Sequence, residues 1–414
     1  MQEYDHIAMV CQGGGSLGAY HIGAYQAMHE KGYEPGIFAG ISIGAFTAAI
    51  LAGNPPAERL SKLKRFWEMI SWPDFQPMVR QWPGVQQTYE AMTALWQPYR
   101  TVPNFDQLLN QVSSLQGTLL GQPNFFEPLR PGTQGATSFY DTSPVIKTLE
   151  ELVDFDRINR GESRLILGAT DVEAGELVFF DSQEVTITPD HVRASGALPP
   201  GFPGVEIDGK LYWDGGCVSN TPLTGLYERV TSGHTLAFMV DLYNPVGPAP
   251  QNVNEVITRQ TDITYASRGT YDVDQVINTQ RRAAALRLML DQADTDTQRR
   301  VETEPGGSME DMEALAASNN FDVVHIIYDS APYEVVSSSM EFSRTSIERR
   351  AQHGYAEMTH AIETTAFLQE EPAPAMAGAT NGQAKSSALE AGSTPKVRMP
   401  HMNRVHRQER RAGS

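Results

Sequence analysis

The pentapeptide Gly-Ile-Ser-Ile-Gly at 40–44 constrains this chain more than any other feature of its sequence. It fits G-x-S-x-G, a pattern in which a serine stands on a tight turn between a strand and a helix. The apolar run before it predicts a short strand, and Ala-Phe-Thr-Ala-Ala-Ile-Leu-Ala after it predicts a helix. Ser42 is therefore expected at a helix N-terminus, where backbone amides favour negative charge. This context is typical of a nucleophilic serine, and the alternative is a serine that only caps the helix.

A glycine-rich loop precedes this turn. The strand-length run His6–Cys11 leads into Gly-Gly-Gly-Ser-Leu-Gly at 13–18, and the apolar spacing that follows predicts a helix over 19–31. A glycine loop between a strand and a helix exposes several amide hydrogens that bind anions. In an ester hydrolase, such amides hold the oxyanion of the tetrahedral intermediate.

The same loop also matches G-x-G-x-x-G, the fingerprint of dinucleotide-binding folds. That fingerprint expects an acidic residue about 20 positions later, at the end of the second strand. The nearest one, Glu34, comes before the second strand begins, and that strand leads into Ser42 instead. A nucleotide-binding oxidoreductase is therefore the less favoured alternative, beside a catalytically inactive scaffold protein that retains the fold.

Asp214 is the second candidate catalytic residue, within Trp-Asp-Gly-Gly at 213–216. The approach Lys-Leu-Tyr-Trp predicts a strand, and the turn after it presents the carboxylate at the strand end. A carboxylate acts as a general base when partial desolvation brings its pKa close to the working pH. The alternative interpretation is an ordinary Asp-Gly turn.

A serine–histidine–acid triad is the main mechanistic alternative. The chain has ten histidines, and since an α/β-hydrolase places its histidine after the acid, His234 and His325 are the candidates. His234 falls in a predicted turn before the strand 235–242, and His325 falls inside the predicted strand 321–328. Both positions favour structural roles. Ser42 also follows only the second strand, whereas α/β-hydrolases place several strands before the nucleophile.

In order and approximate spacing, the two glycine motifs and Asp214-Gly-Gly resemble the patatin-like phospholipase family. Ala-Ser-Gly-Ala-Leu-Pro at 194–199 resembles a further block of that family, and the resemblance covers roughly 4–240. It implies a Ser–Asp dyad, with Ser42 as nucleophile and Asp214 as base. It also implies a three-layer α/β/α fold with a mainly parallel central sheet. The oxyanion loop that it implies contains Gly13, Gly14, Gly15 and Gly18.

The resemblance has one departure and one extension. Leu17 stands where the family's loop usually carries Arg or Lys, which leaves the ester chemistry intact but weakens the case for an anionic headgroup. The region 241–368 resembles an extension found in one bacterial subgroup of patatin-like proteins. The expected substrate is a lipid acyl ester of the phospholipid or lysophospholipid type. A hydroxyalkanoate oligomer or an acyl thioester is the alternative.

Composition and charge limit the classes of partner expected for this chain. The net charge of −18 argues against nucleic acid and against simple electrostatic docking on anionic lipid. No residue spacing indicates a metal site, and no cofactor is expected. The start lacks the regions of a signal peptide, and no apolar stretch approaches 18 residues. With two cysteines expected to stay reduced, the predicted location is cytoplasmic. The oligomeric state is left open.

Strand–helix alternation predicts a parallel sheet with helices on both faces. We expect a catalytic domain over 1–245, an extension over 246–368 packed on the core, and a disordered tail over 369–414. The stretch 67–135, which holds four of the five tryptophans, is expected to be a cap or a satellite core. The tail ends in a basic cluster compatible with peripheral contact with a membrane or lipid surface, although such tails are more often only solvated. Its members are Lys396, Arg398, Arg404, Arg407, Arg410 and Arg411.

Overall fold

The computed structural model describes residues 4–73, 78–79, 81–94, 104–130, 132–133, 135–303, 308–316, 320–329, 334, 338–369 and 402–405. Within these ranges, the strands in chain order are β1 (His6–Cys11), β2 (Ile37–Gly40), β3 (Glu127–Pro128), β4 (Tyr140–Asp141), β5 (Arg164–Asp171), β6 (Glu176–Asp181), β7 (Val205–Ile207), β8 (Lys210–Asp214), β9 (His234–Asp241), β10 (Asn320–Ile327) and β11 (Met402–Val405).

One central sheet contains all of these strands except β3 and β4, which pair with each other. Its order is β11-β10-β9-β1-β2-β5-β8-β7, and β6 pairs with β5. The strands from β11 to β5 run parallel, and β6, β7 and β8 join antiparallel. The predicted mainly parallel sheet is confirmed, with an antiparallel edge formed after β5.

The described helices are α1 (Tyr20–Glu30), α2 (Ile43–Ala52), α3 (Pro56–Met69), α4 (Val85–Thr93), α5 (Phe105–Leu120), α6 (Pro144–Leu152), α7 (Phe155–Asn159), α8 (Pro189–Ser195), α9 (Leu223–Arg229), α10 (Val253–Asp291), α11 (Thr295–Thr303), α12 (Met309–Ala316), α13 (Arg344–Thr364) and α14 (Ala366–Gln369). Short 3-10 turns lie at Gly15–Ala19, Gly215–Cys217 and Ser338–Met340. None of the helices in the described ranges combines the length and apolar character that a bilayer span requires.

Helices cover both faces of the sheet. Because side chains alternate along a strand, Met9 and Val10 of β1 point to opposite layers. Met9 packs in the core that α1, α2, α3 and α13 form on one face. Val10 packs in the core that α9 and α10 form on the other face. The three-layer α/β/α fold is thereby confirmed.

The C-terminal extension adds elements to the same layers. β10 pairs with β9 over its whole length, and α13 packs on α1. The two helices touch backbone to backbone, because a side chain at Gly354 would begin 2.1 Å from the Tyr20 carbonyl oxygen. The longest helix of the extension is α10, which runs for 39 residues from Val253 to Asp291.

The tail differs from its prediction at one place. Met402–Val405 forms β11, a parallel edge strand on β10, so the expectation of disorder over 369–414 is wrong for these four residues. Edge strands offer unpaired backbone groups, and pairing with them does not depend on a hydrophobic composition. Gln369 ends α14, and the rest of the tail, with every member of the basic cluster except Arg404, lies outside the described residues.

The tryptophan-rich stretch contains ordinary core as well as surface. Trp67 is 1% exposed and its ring stacks on Phe342. Trp72 donates its indole N–H to the Gly121 carbonyl at 2.9 Å, whereas Trp82 is 55% exposed. Trp96 lies outside the described residues. The cap over the nucleophile stays a prediction.

Candidate active site

The sheet brings Ser42 and Asp214 together through β5. β6 pairs with Ile166 and Ala169 along one edge of β5. β2 also pairs with Ile166, and β8 also pairs with Ala169, so β2 and β8 both lie along the other edge of β5. Gly40, the last residue of β2, lies opposite Leu167, and Asp214, the last residue of β8, lies opposite Ala169. Two residues of a strand span about 7 Å. The turn after β2 and the end of β8 therefore meet.

Ser42 occupies a strained turn at the start of α2. Its φ of +55° and ψ of −130° are rare for a residue with a side chain, a conformation that costs about 1–3 kcal/mol. Its amide donates to the Ser195 carbonyl at 3.0 Å, and the Ser195 hydroxyl donates to the Gly168 carbonyl at 2.6 Å. The motif's second glycine is required by close approach, because a Cβ at Gly44 would fall 2.1 Å from the Cys11 carbonyl oxygen.

Asp214 is buried, with 1% of its surface exposed. Its Oδ1 accepts the Gly216 amide at 2.7 Å, and its own amide donates to the Ala197 carbonyl at 3.0 Å. Oδ2 is buried and accepts no hydrogen bond of standard geometry from the described residues. Burial raises the pKa of Asp214 from 3.8 to about 7, and the opposing effects of the Ser42 hydroxyl and the Gly216 amide are smaller. The carboxyl thus titrates near neutral pH.

The segment 194–199, whose sequence resembles a further block of the family, forms hydrogen bonds with both candidate catalytic residues. Ser195 accepts the amide of Ser42, and Ala197, two residues later, accepts the amide of Asp214. Sequence analysis assigned no role to Ser195 or Ala197. The position of this segment between the two backbones fixes the distance from the serine turn to the aspartate turn.

The glycine loop packs directly on the Ser42 turn. A Cβ at Gly13 would lie 2.7 Å from the Ser42 Cβ and 2.4 Å from Asn220 Oδ1, so no other residue fits there. Asn220 donates its side-chain amide to the Gly13 carbonyl at 2.8 Å, and its own carbonyl accepts the Gly13 amide at 3.4 Å. Sequence reasoning missed Asn220, which ties the loop to the segment after Asp214.

The glycine loop and the start of α2 contain backbone amides that have no acceptor among the described residues. The N–H groups of Gly14, Gly15 and Ile43 donate to no acceptor among the residues that the structure describes. Gly15 has a φ of +57°, and Gly18 lies further along the turn, against the side chain of Ile43. Ile43 directly follows the serine and was absent from the predicted loop set.

The two candidate triad histidines bind other carboxylates. His234 Nε2 lies 3.1 Å from Asp322 Oδ2, and His325 Nε2 lies 2.9 Å from Asp241 Oδ2 with both side chains buried. Across the described part of the chain, no histidine forms a hydrogen bond with Ser42 or Asp214.

Aromatic side chains and a thiol lie near Asp214. Tyr243 and Tyr265 have ring centroids 5.1 Å apart, and Tyr265 belongs to α10 of the extension. Burial, and the charge of Asp214 in addition, raises the pKa of both phenols. Burial and Asp214 likewise raise the pKa of the Cys217 thiol to about 11, so the thiol stays protonated at neutral pH. No group of three metal-ligating side chains was found among the described residues.

An α/β/α sandwich that presents a serine on a strained strand–helix turn defines the class of an ester-bond hydrolase. Family comparison agrees: the profile described as "Patatin-like phospholipase" matches residues 9–227, just over half of the chain. A second profile, described as "Patatin phospholipase", matches residues 263–374. The chain belongs to the patatin-like phospholipase family.

Individual relatives match over short segments. The chain is 39% identical over 61 residues to patatin-like phospholipase domain-containing protein 6 of Mus musculus, a match that covers 15% of this chain and 4% of that protein. Triacylglycerol lipase ptl3 of Schizosaccharomyces pombe shows the same identity over 61 residues, which are 13% of its length. VipD from Legionella pneumophila has 16% identity and a TM-score of 0.32, over 87% of this chain and 67% of that one.

Proposed function

We propose that this chain hydrolyses the acyl ester of a lipid with Ser42 as nucleophile and Asp214 as general base. The Ser42 hydroxyl oxygen attacks the ester carbonyl carbon, and its proton passes to Asp214. The free Oδ2 of Asp214 and a pKa near 7 suit a carboxylate to accept a proton at neutral pH. Because no described histidine bonds either residue, a dyad accounts for the contacts better than a triad.

The oxyanion of the tetrahedral intermediate is assigned to the unpaired amides of the glycine loop. Gly14 and Gly15 contribute two N–H groups, and Ile43 contributes the amide directly after the nucleophile. Fixed amides that need no reorganisation are the most effective donors for such an intermediate. Gly13 and Gly18 serve this loop by close packing, because a side chain at either would collide with Ser42 or Ile43.

The reaction is completed by three proton transfers through Asp214. The protonated carboxyl gives its proton to the leaving alcohol oxygen as the tetrahedral intermediate collapses to an acyl-serine. Asp214 then takes a proton from water, which attacks the acyl carbonyl. The second intermediate collapses to the free acid, and Ser42 regains its proton.

The observation that carries the proposal is the joint support of the two residues. Ser42 keeps a strained backbone, and Asp214 keeps a buried carboxylate, and both are held by the short segment Ser195–Ala197. Strain and an unpaired buried acid cost stability, and proteins retain them mainly at functional sites.

Within lipid esters, the proposed substrate is a phospholipid or lysophospholipid, as the family description suggests. Leu17 favours a second candidate, a neutral ester such as a hydroxyalkanoate oligomer, or an acyl thioester. Its side chain is 6% exposed and apolar, so this position of the loop supplies no cation for a phosphate.

The proposal is tested by an ester and lipid panel on wild type and Ser42→Ala. We expect hydrolysis of a p-nitrophenyl acyl ester to fall by orders of magnitude in Ser42→Ala, with an unchanged melting temperature. A fluorophosphonate should label wild type and the exposed-serine control Ser61→Ala equally, and leave Ser42→Ala unlabelled. Activity of Ser42→Ala within about tenfold of wild type would reject the nucleophile assignment.

The base is tested in the same assay. Asp214→Asn should be as inactive as Ser42→Ala, while His234→Ala keeps most of the activity. A folded His234→Ala variant with the same loss as Asp214→Asn would replace the dyad by a triad.

A further inference from the structure

Arg350 of α13 is completely buried and bonded on every side. Its Nε and Nη2 each donate to a carboxylate oxygen of Glu334 at 2.8 Å. Its Nη1 donates to the Ser16 hydroxyl oxygen at 2.8 Å, to the Ser16 carbonyl at 3.2 Å and to the Glu341 carbonyl at 3.0 Å. The planar guanidinium is thereby fixed in one orientation, and it fixes its partners in turn.

One of those partners belongs to the glycine loop. Ser16 directly follows Gly15, whose amide donates to no acceptor among the described residues, and Gly13 of the same loop packs on Ser42. The Ser16 hydroxyl also donates to the Ser338 carbonyl at 2.5 Å. Gly15 packs against Ser339, since a Cβ at Gly15 would lie 2.3 Å from the Ser339 carbonyl oxygen. The loop is thus anchored from outside by the C-terminal part of the chain.

We infer that Arg350 is a positioning residue for the oxyanion loop, so that α13 belongs to the catalytic unit. This inference rests on the proposed function, because it assigns a role to a group that acts through the loop. Oxyanion donors work only within about 2.7–3.1 Å of the developing charge. A guanidinium that holds both the carbonyl and the hydroxyl of Ser16 restrains the adjoining Gly15 amide to one direction.

A purely structural ion pair predicts something different. Arg350 is buried between the carboxylates of Glu334 and Glu341, and loss of its guanidinium leaves these charges without their partner, which destabilises the fold. A structural role alone lowers the melting temperature but leaves kcat unchanged for the protein that stays folded. A positioning role lowers kcat at temperatures where every variant is fully folded, and leaves KM nearly unchanged.

Two variants separate these roles on the full-length chain. Arg350→Lys keeps the positive charge beside Glu334 but loses the planar fork. Ser16→Ala leaves the buried ion pair intact and removes the hydroxyl, one of the two Ser16 groups that Arg350 holds. With a soluble p-nitrophenyl ester, we expect kcat of each to fall about tenfold, less than the 100-fold or more for deletion of an oxyanion donor. KM should stay within twofold, and the rate of fluorophosphonate labelling should fall as kcat does.

The double variant and a matched control complete the test. Ser16→Ala/Arg350→Lys should lose no more than the larger single loss, because both changes break one connection. Tyr355→Phe removes another contact between α13 and α1, the 2.6 Å bond to Glu30, and should keep wild-type kcat. Folded Ser16→Ala and Arg350→Lys with wild-type kcat and labelling rates would overturn the inference while Ser42→Ala stays inactive. If wild type itself were neither active nor labelled, the proposed function would fail instead.

Discussion

At the scale of single residues, the burial of Asp214 lowers the stability of the folded chain and raises the basicity of the carboxylate. The Asp214 carboxyl is buried, its Oδ2 accepts no hydrogen bond of standard geometry from the described residues, and burial raises its pKa from 3.8 to about 7. Ionisation of such a group costs free energy that the folded state must supply. The same desolvation makes the carboxylate basic enough to take a proton from a serine.

The first consequence is a pH dependence of the rate. The base must be ionised, so kcat/KM for a soluble ester should rise about tenfold per pH unit below 7 and level off above it. A pH–rate profile between pH 5 and 9 measures this directly. A flat profile across that range would exclude Asp214 as the titrating base.

The second consequence is a pH dependence of the free energy of unfolding. Low pH favours stability, whereas high pH favours the rate. Because the pKa of Asp214 is higher in the folded than in the unfolded chain, its contribution to stability is greatest at low pH and falls as pH rises towards 7. Asn cannot ionise. The advantage of Asp214→Asn in the free energy of unfolding should therefore grow by about 3 kcal/mol between pH 5 and pH 8. Urea unfolding at both pH values tests this, and an equal difference at each would contradict it.

At the scale of elements, the end of α8 acts as a spacer between two turns. Ser195 stands between the Ser42 amide and the Gly168 carbonyl of β5. Ser195→Ala should lower kcat several-fold and cost about 1 kcal/mol in stability, the value of one hydrogen bond. Ser182→Ala is the matched control, because its hydroxyl accepts the Leu165 amide at the opposite end of β5. A similar stability loss without a loss of rate is expected there, and equal rate losses in both variants would rule out the spacer role.

Elements with strong local signals were predicted well. β1 agrees at both ends, and α1, α2 and β9 agree within one or two residues, since each is a continuous apolar or periodic run. β7 is three residues long and β11 lies in a polar segment, so neither has such a signal. Edge pairing depends on what lies beside a strand, and composition does not record its neighbours.

At the scale of the whole molecule, sequence motifs predicted the candidate catalytic residues but not the residues that contact the loops around them. Ser42 and Asp214 stand in short patterns with a physical meaning of their own. Asn220 and Arg350 act through contacts with Gly13 and Ser16, residues 207 and 334 positions away. No local pattern marks such pairs, because they arise only when distant elements pack.

Shared layers predict that the catalytic segment and the extension unfold together. β10 is hydrogen-bonded to β9 within one sheet, and α13 packs on α1. All five tryptophans lie in the first part, at or before Trp213, although Trp67 also stacks on Phe342 of the extension. Their fluorescence therefore reports mainly on the first part, whereas far-UV circular dichroism includes the 39 residues of α10. The two signals should give one coincident thermal transition. Separate midpoints would show that the extension is an independent unit.

The late position of α13 gives the chain a built-in order of assembly. A ribosome makes about 5–20 residues per second, so Arg350 follows Asp214 by on the order of ten seconds. Until then the nascent chain contains the proposed nucleophile and base but not the guanidinium that anchors Ser16. By this assignment, an unfinished or truncated product carries a serine that cannot attack lipids efficiently. On that inference, efficient ester hydrolysis requires that synthesis of the chain has passed through α13.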